Sequence, residues 1–283
     1  MNGWTIAGIA AVILIGGAVI LPLMAHRKAM EEAEGSYARV AARPPPPLHR
    51  FDPRQVVDLP EIAQRYFHHA IVRGTPLYSV AQLEMHGVFL LGDKNKFTTY
   101  EMTAQQALRP DQFAWLPQMR SGAMKITGSD ALVAGKAWTR FWLIGLVPVA
   151  RERTSPDLVR SAQFRAAVES AMWLPASLLP ENRVEWEQLG ANEAKVTLRR
   201  YEPAIVLRIK LDAAGAVREV VGQRWSNANR DKVFRLQPFG GTILSEGTFQ
   251  GFTIPTQVAV GNQYGTDDYL PFFQATISRA IYH

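Results

Sequence analysis

The chain contains no cysteine. That excludes disulfides, thiolate metal sites and cysteine nucleophiles together, while leaving the compartment open. Local catalytic signatures are missing too. There is no G-x-S-x-G, no H-E-x-x-H, no G-x-x-x-x-G-K-[ST], and no G-x-G-x-x-G following a strand. The adjacent acids Asp267-Asp268 and Glu31-Glu32 have no EF-hand frame. No metal and no cofactor is expected. Clustered positive charge is also lacking. The formal net charge is +6, but Lys and Arg are scattered singly, which argues against a nucleic-acid partner.

One uncharged run stands out. Gly3 to Ala25 is 23 residues long and free of charge, and a spanning helix needs about 20. Trp4 is placed as an interfacial aromatic, and His26, Arg27 and Lys28 stop the run. Met1-Asn2 offers no basic n-region, and Leu23-Met24-Ala25 is a poor cleavage site, so a retained single-pass anchor is expected rather than a signal peptide. The bilayer is then a partner through Gly3 to Ala25. The basic flank (Arg27, Lys28, Arg39, Arg43) places the following domain in the cytoplasm by the positive-inside rule.

The expected organisation is an anchor over 1–28, a charged and Pro-rich linker over 29–50, and one β-rich domain over 51–283. Pro44 to Pro47 favour a polyproline II spacer. Asp58-Leu-Pro-Glu61 reads as a capping box opening an amphipathic helix through Ile71. His68 and His69 near its end are adjacent, so they point apart and cannot share a metal. From Leu83 the period changes to two. Leu83–Leu91 and Phe97–Gln106 form a hairpin about Gly92–Asn95, and alternation recurs at 184–188, 195–199, 205–211 and 217–225. Gly128-Ser129-Asp130 and Gly240-Gly241 read as turns. The pattern implies roughly ten to twelve short strands and two or three helices without βαβ rhythm. The fold class is α+β, mainly β: a large antiparallel sheet, as a half-barrel or curled meander, with packed helices.

Ser155-Pro156-Asp157 predicts a helix to about Met172, ended by Trp173-Leu174-Pro175. Leu158, Ala162, Arg165, Glu169 and Met172 fall on one stripe. Arg before Glu is the weaker order for a surface i,i+4 pair, which hints at a further partner for one charge. Three readings stand: an ordinary salt bridge, a buried pair that seats the helix on the sheet, and a catalytic or ligand-binding Glu169. A structural clip is preferred. Of seven Trp, Trp115, Trp138, Trp142, Trp173, Trp186 and Trp225 lie in the domain and are candidates for lining an apolar cavity, against ordinary core filling.

The segments DLPEIAQRYFHHAI, RSAQFRAAVESAMWLPASLLPENRVEW and GFTIPTQVAVGN resemble a bacterial family of membrane-anchored proteins with no assigned activity. The likeness covers Asp58 to Tyr282 and is sharpest in R-x-x-x-E-x-x-x-W-x-P-x-x-L-L. It makes Arg165, Glu169, Trp173 and Pro175 family-type positions. More distantly, the meander is similar to the lipoprotein-carrier (LolA-like) half-barrel, which holds acyl chains on its concave face. That likeness implies a lipid or acyl ligand and an extracytoplasmic domain, against the flanking charge. The expectation is a membrane-tethered, non-catalytic binding domain. The alternatives are an enzyme on an envelope substrate with Glu169 as acid or base, and a scaffold recruiting a protein partner.

Overall fold

The structure is a computed structural model. It describes residues 3–283, with side chains from residue 20 onward. Among the described residues, thirteen antiparallel strands form one sheet. The first wing is a meander of β1 (Ala81–Asp93), β2 (Lys96–Arg109), β3 (Gln112–Ser121), β4 (Met124–Val133), β5 (Lys136–Leu143) and β6 (Val147–Glu152). The second runs β7 (Val184–Gly190), β8 (Glu193–Leu198), β9 (Ile205–Leu211), β10 (Val217–Ser226), β11 (Arg235–Phe249), β12 (Phe252–Asn262) and β13 (Leu270–Tyr282). The wings meet where β13 pairs with β1, leaving β6 and β7 as the edges. Period-two patterning drives this: in β9, Leu207, Ile209 and Leu211 are buried while Val206, Arg208 and Lys210 are exposed.

The helices are α1 (Gly3–Ala41), α2 (Glu61–Ala70) and α3 (Pro156–Trp173). α3 connects the two edges and touches β2 to β5 on one wing and β9, β10 and β12 on the other. β5 and β10 are eight positions apart in the sheet, about 38 Å if it were flat. An 18-residue helix is only about 27 Å long. The sheet therefore curls around α3 as a half-barrel. Small residues permit the wrap. Ser161, Ala162, Ala166, Ala167, Ser170 and Ala171 are buried around α3. On β10, a Cβ at Gly222 would come within 2.8 Å of the Phe164 ring. The predicted Ser155 cap is present, its Oγ accepting from Leu158 N at 3.2 Å. The helix ends at Trp173, before Pro175 as expected.

Three local expectations are corrected. Asp58 does not cap α2, which begins at Glu61 with no side-chain cap. Leu59 precedes Pro60 and is pushed out of helical conformation, so no helix starts there. A capping box forms instead at Asp52 and Gln55, on a short 3-10 turn. Gly128–Asp130 is not a turn but the middle of β4. A Cβ on Gly128 would strike the carbonyl oxygen of Arg140 on β5, so the glycine serves close strand approach. Gly240-Gly241 likewise lies inside β11, where a Cβ on Gly241 would strike the Ala259 carbonyl.

The stretch 29–50 also differs from a free spacer. Helix α1 continues to Ala41, and its C-terminal half lies along the outer face of the sheet. Val40 packs with Ala107, Ala114, Ala131 and Val133. His26 Nε2 bonds Thr127 Oγ1 at 3.0 Å, and Arg140 donates to Glu32 at 2.6 Å. Ala29, Ala33 and Val40 face inward, so the charged residues lie on the other sides of the helix. The expected membrane segment falls mostly on residues 3–19, whose side chains lie outside the described residues. Among the described residues, no helix is long and apolar enough to cross a membrane.

Candidate functional site

Strand register builds one side of the site. Gln106 on β2 faces Trp115 on β3, which faces Asp130 on β4. Asp130 faces Thr139 on β5, which faces Glu152 on β6. Directly opposed residues share a face of the sheet, so five strands contribute one polar row with a single indole in it. The stripe of α3 lies over this row. Arg165 Nη1 donates to Asp130 Oδ2 at 2.5 Å, and its Nε donates to Glu169 Oε1 at 2.7 Å. Gln106 Nε2 donates to Glu169 Oε2 at 2.5 Å. Thr139 donates to Asp130 Oδ1 at 3.1 Å. The guanidinium of Arg165 lies over Phe113 and Trp115, 4.4 and 4.9 Å from the ring centroids.

Charge is unevenly shared in this cluster. Burial opposes the charge on Arg165, but Glu169 and Asp130 together outweigh it and raise its pKa. Glu169 has only part of one arginine. Burial therefore dominates and raises its pKa, with Arg165 pulling the other way. Both Glu169 oxygens are occupied, and its side chain is 9% exposed. Across the site, Arg224 on β10 donates Nε to Ser161 Oγ at 3.2 Å and lies 5.4 Å from the Phe239 ring centroid. Among the described residues that is its one side-chain hydrogen bond, and no carboxylate pairs with it. Burial lowers its pKa, ahead of the opposing pull of Asp130.

Between α3 and the sheet lies a cavity of ≈ 370 Å³. Its walls are mostly apolar, with Phe89, Tyr100, Met119, Phe141, Phe239 and Phe273 among them, and Asp130, Arg165, Glu169 and Arg224 supply polar points. It opens at the strand ends near Leu91, Val149 and Ala228, all exposed. The indole Nε1 of Trp115 and the Oε1 of Gln106 are buried without a partner. Among the described residues, no group of three or more His, Asp or Glu could hold a metal ion.

The residues singled out from sequence separate in space. Arg165, Glu169, Trp115 and Trp173 all line the cavity. Trp173 is 1% exposed and donates to the Pro255 carbonyl at 3.1 Å. Pro175 opens a buried 3-10 turn beyond it. Trp186 is elsewhere, packed on Tyr66 and Phe67 of α2 at 5.2 and 5.5 Å. Trp225 is also off the cavity, donating to Asp157 at 2.8 Å with Arg160 over its ring. Asp130, Gln106 and Arg224 were not foreseen. Asp130 was hidden by the turn reading of Gly128–Asp130. Alternation from Ile126 through Gly128 would have put it on the inner face.

Residues 49–275 match the family of unknown function DUF6544. The chain belongs to that family. No curated protein matches it. Among solved structures, it is similar to a domain assigned to outer membrane lipoprotein sorting from Vibrio parahaemolyticus, at 10% identity and TM-score 0.39, covering 78% of this chain and 91% of that one. It is also similar to a LolA superfamily protein from Nitrosomonas europaea, at 10% identity and TM-score 0.37, covering 78% and 92%. The expectation of a family with no assigned activity is met by the DUF6544 match, and the expected mainly β curled sheet is the one described above.

Proposed function

We propose that this DUF6544 domain is a membrane-tethered, non-catalytic binding module whose cavity holds an apolar chain with an anionic head. The observation that carries the reading is the apolar cavity with an unpaired guanidinium in its wall. Its ≈ 370 Å³ lies within the roughly 300–1,000 Å³ of ligand pockets. The aromatic walls favour an acyl or comparable chain. Arg224 keeps both terminal nitrogens free of carboxylates among the described residues, and a carboxylate or phosphate head would supply the missing acceptor. The tether is Gly3 to Ala25, and the domain is proposed to face the extracytoplasmic side, where such an amphiphile would be collected from the bilayer.

An acid–base role for Glu169 is disfavoured. Each of its two oxygens already accepts a hydrogen bond, from Arg165 and from Gln106, and the ion pair with Arg165 holds the carboxylate in place as a structural group. The buried pair fits the clip reading, which seats α3 on the first wing. The test is competition for a fluorescent fatty-acid probe. Ala150→Trp, at the half-buried entrance, should abolish probe binding with the fold intact by circular dichroism. Undiminished binding in that variant would place the ligand elsewhere and overturn the reading.

A further inference from the structure

We propose that the strand-tip end of the half-barrel is a membrane-seating surface that presses the cavity mouth onto anionic phospholipid. The direction of α1 gives the first support. Its C-terminal end is fixed at the far end of the sheet, where Arg109 donates to the Val40 and Ala42 carbonyls at 2.8 and 2.6 Å. Its other anchored point, His26, bonds Thr127 and sits against the turn at Gly145. The helix therefore leaves the domain past the β3–β4 and β5–β6 tips, with Ile20, Leu21, Leu23 and Met24 exposed beyond His26.

The tips themselves are apolar and exposed. Leu91, Phe97, Met124, Ile144, Val147 and Val233 all stand open to solvent on four neighbouring turns. Three of these turns, at Leu91, beside Val149 and at Ala228, border the cavity mouth. Such grouping marks an interaction surface. Exposed cations surround it: Lys96, Lys125, Arg230 and Lys232, with Lys28 on α1 and Arg27 beside it paired with Glu31 at 2.9 Å. Carboxylates are fewer there. Asp93, Asp267 and Asp268 are exposed, and Asp231 is paired with Arg235 at 3.0 Å. Apolar tips that insert among headgroups, ringed by cations, match an anionic leaflet rather than a protein groove. The arrangement gives the proposed ligand a route from bilayer to cavity without crossing water. The route rests on the functional reading above, whereas the seating stands or falls alone.

The chain's lack of cysteine permits a direct test. Full-length V147C and M124C carry an environment-sensitive fluorophore at the tips, and L48C carries it at the opposite end, where Leu48 is apolar and still more exposed. Each is reconstituted in phosphatidylcholine–phosphatidylglycerol vesicles containing a spin-labelled lipid. The tip probes should shift to the blue and be quenched several-fold more than the Leu48 probe. Raised salt or pure phosphatidylcholine should reduce the difference. Equal quenching at both ends, or a chain that fails to float with the vesicles, would overturn the proposal. Bound lipid is measured by mass in the same preparations. An empty cavity with seated tips would sink the functional reading alone, and a filled cavity with unseated tips the membrane surface alone.

Discussion

Replacing Arg165 with Met should destabilise the domain through charge rather than shape. Methionine keeps an apolar stem against Phe113 and Trp115, which the guanidinium covers at 4.4 and 4.9 Å. What is lost is the partner of Glu169 and Asp130, at 2.7 and 2.5 Å. Breaking a buried pair by removing one partner costs about 3–5 kcal/mol. For a domain of this size that is a fall in Tm of roughly 6–20 °C. The pH dependence has a definite sign. Burial already raises the pKa of Glu169, and losing Arg165 raises it further. A carboxylate with a raised folded pKa binds its proton more tightly in the native state, so stability falls as pH rises through the unfolded value toward the folded one. The loss in Arg165→Met relative to wild type is therefore small near pH 4 and full near pH 7. Glu169→Gln should change stability by only about 1 kcal/mol, because the Gln106 amide can turn its unpartnered Oε1 toward the new donor. The double variant should recover most of the Arg165→Met loss. Denaturant titrations at several pH values read all of this. A loss in Arg165→Met that is equal at pH 4 and pH 7, and not rescued by Glu169→Gln, would refute the buried-charge account.

Other outcomes follow from the same geometry. Arg224→Gln should weaken an anionic acyl probe about tenfold or more, the worth of a charged hydrogen bond, and leave a neutral probe of the same length unaffected in the same titration. Trp173→Ala removes a side chain that is 1% exposed and bonded to Pro255. It should cost about 3–5 kcal/mol, read as a lowered melting temperature. Gly128→Val should prevent β4 from pairing with β5 and yield insoluble protein, because its Cβ has no room beside Arg140. Cutting the chain after residue 50 should uncover Ala107, Ala114, Ala131 and Val133 and promote aggregation. A chain starting at His26 should remain monodisperse by light scattering.

Much of this architecture was legible in the sequence where the signal is local. The β1–β2 hairpin, the alternation in β9 and the Ser155-Pro156 start of α3 each follow from residues within one turn or one strand. Arg165 and Glu169 were found because i,i+4 spacing is a property of one helix. Apart from the Asp58 cap, which the local Leu59-Pro60 step rules out, the failures are non-local. A glycine inside a strand looks like a turn until the neighbouring strand is known, and that hid Gly128, Asp130 and Gly240-Gly241. Arg224 reads as an ordinary outward residue of β10, and only curling around α3 brings it opposite Asp130. The packed half of α1 looked like a charged linker, because its inward positions are small alanines whose burial needs the outer face of a sheet. Trp186 and Trp225 were grouped with Trp115 by residue type, though they sit against different elements.

The central claim is that the cavity between α3 and the sheet holds an anionic amphiphile. Native mass spectrometry of residues 26–283, purified without detergent from cells and then incubated with a host lipid extract, tests it most directly. The account predicts one bound lipid or fatty acid per chain, lost in Ala150→Trp and weakened in Arg224→Gln. A clean unliganded mass after incubation, from protein whose fold is intact, would contradict it.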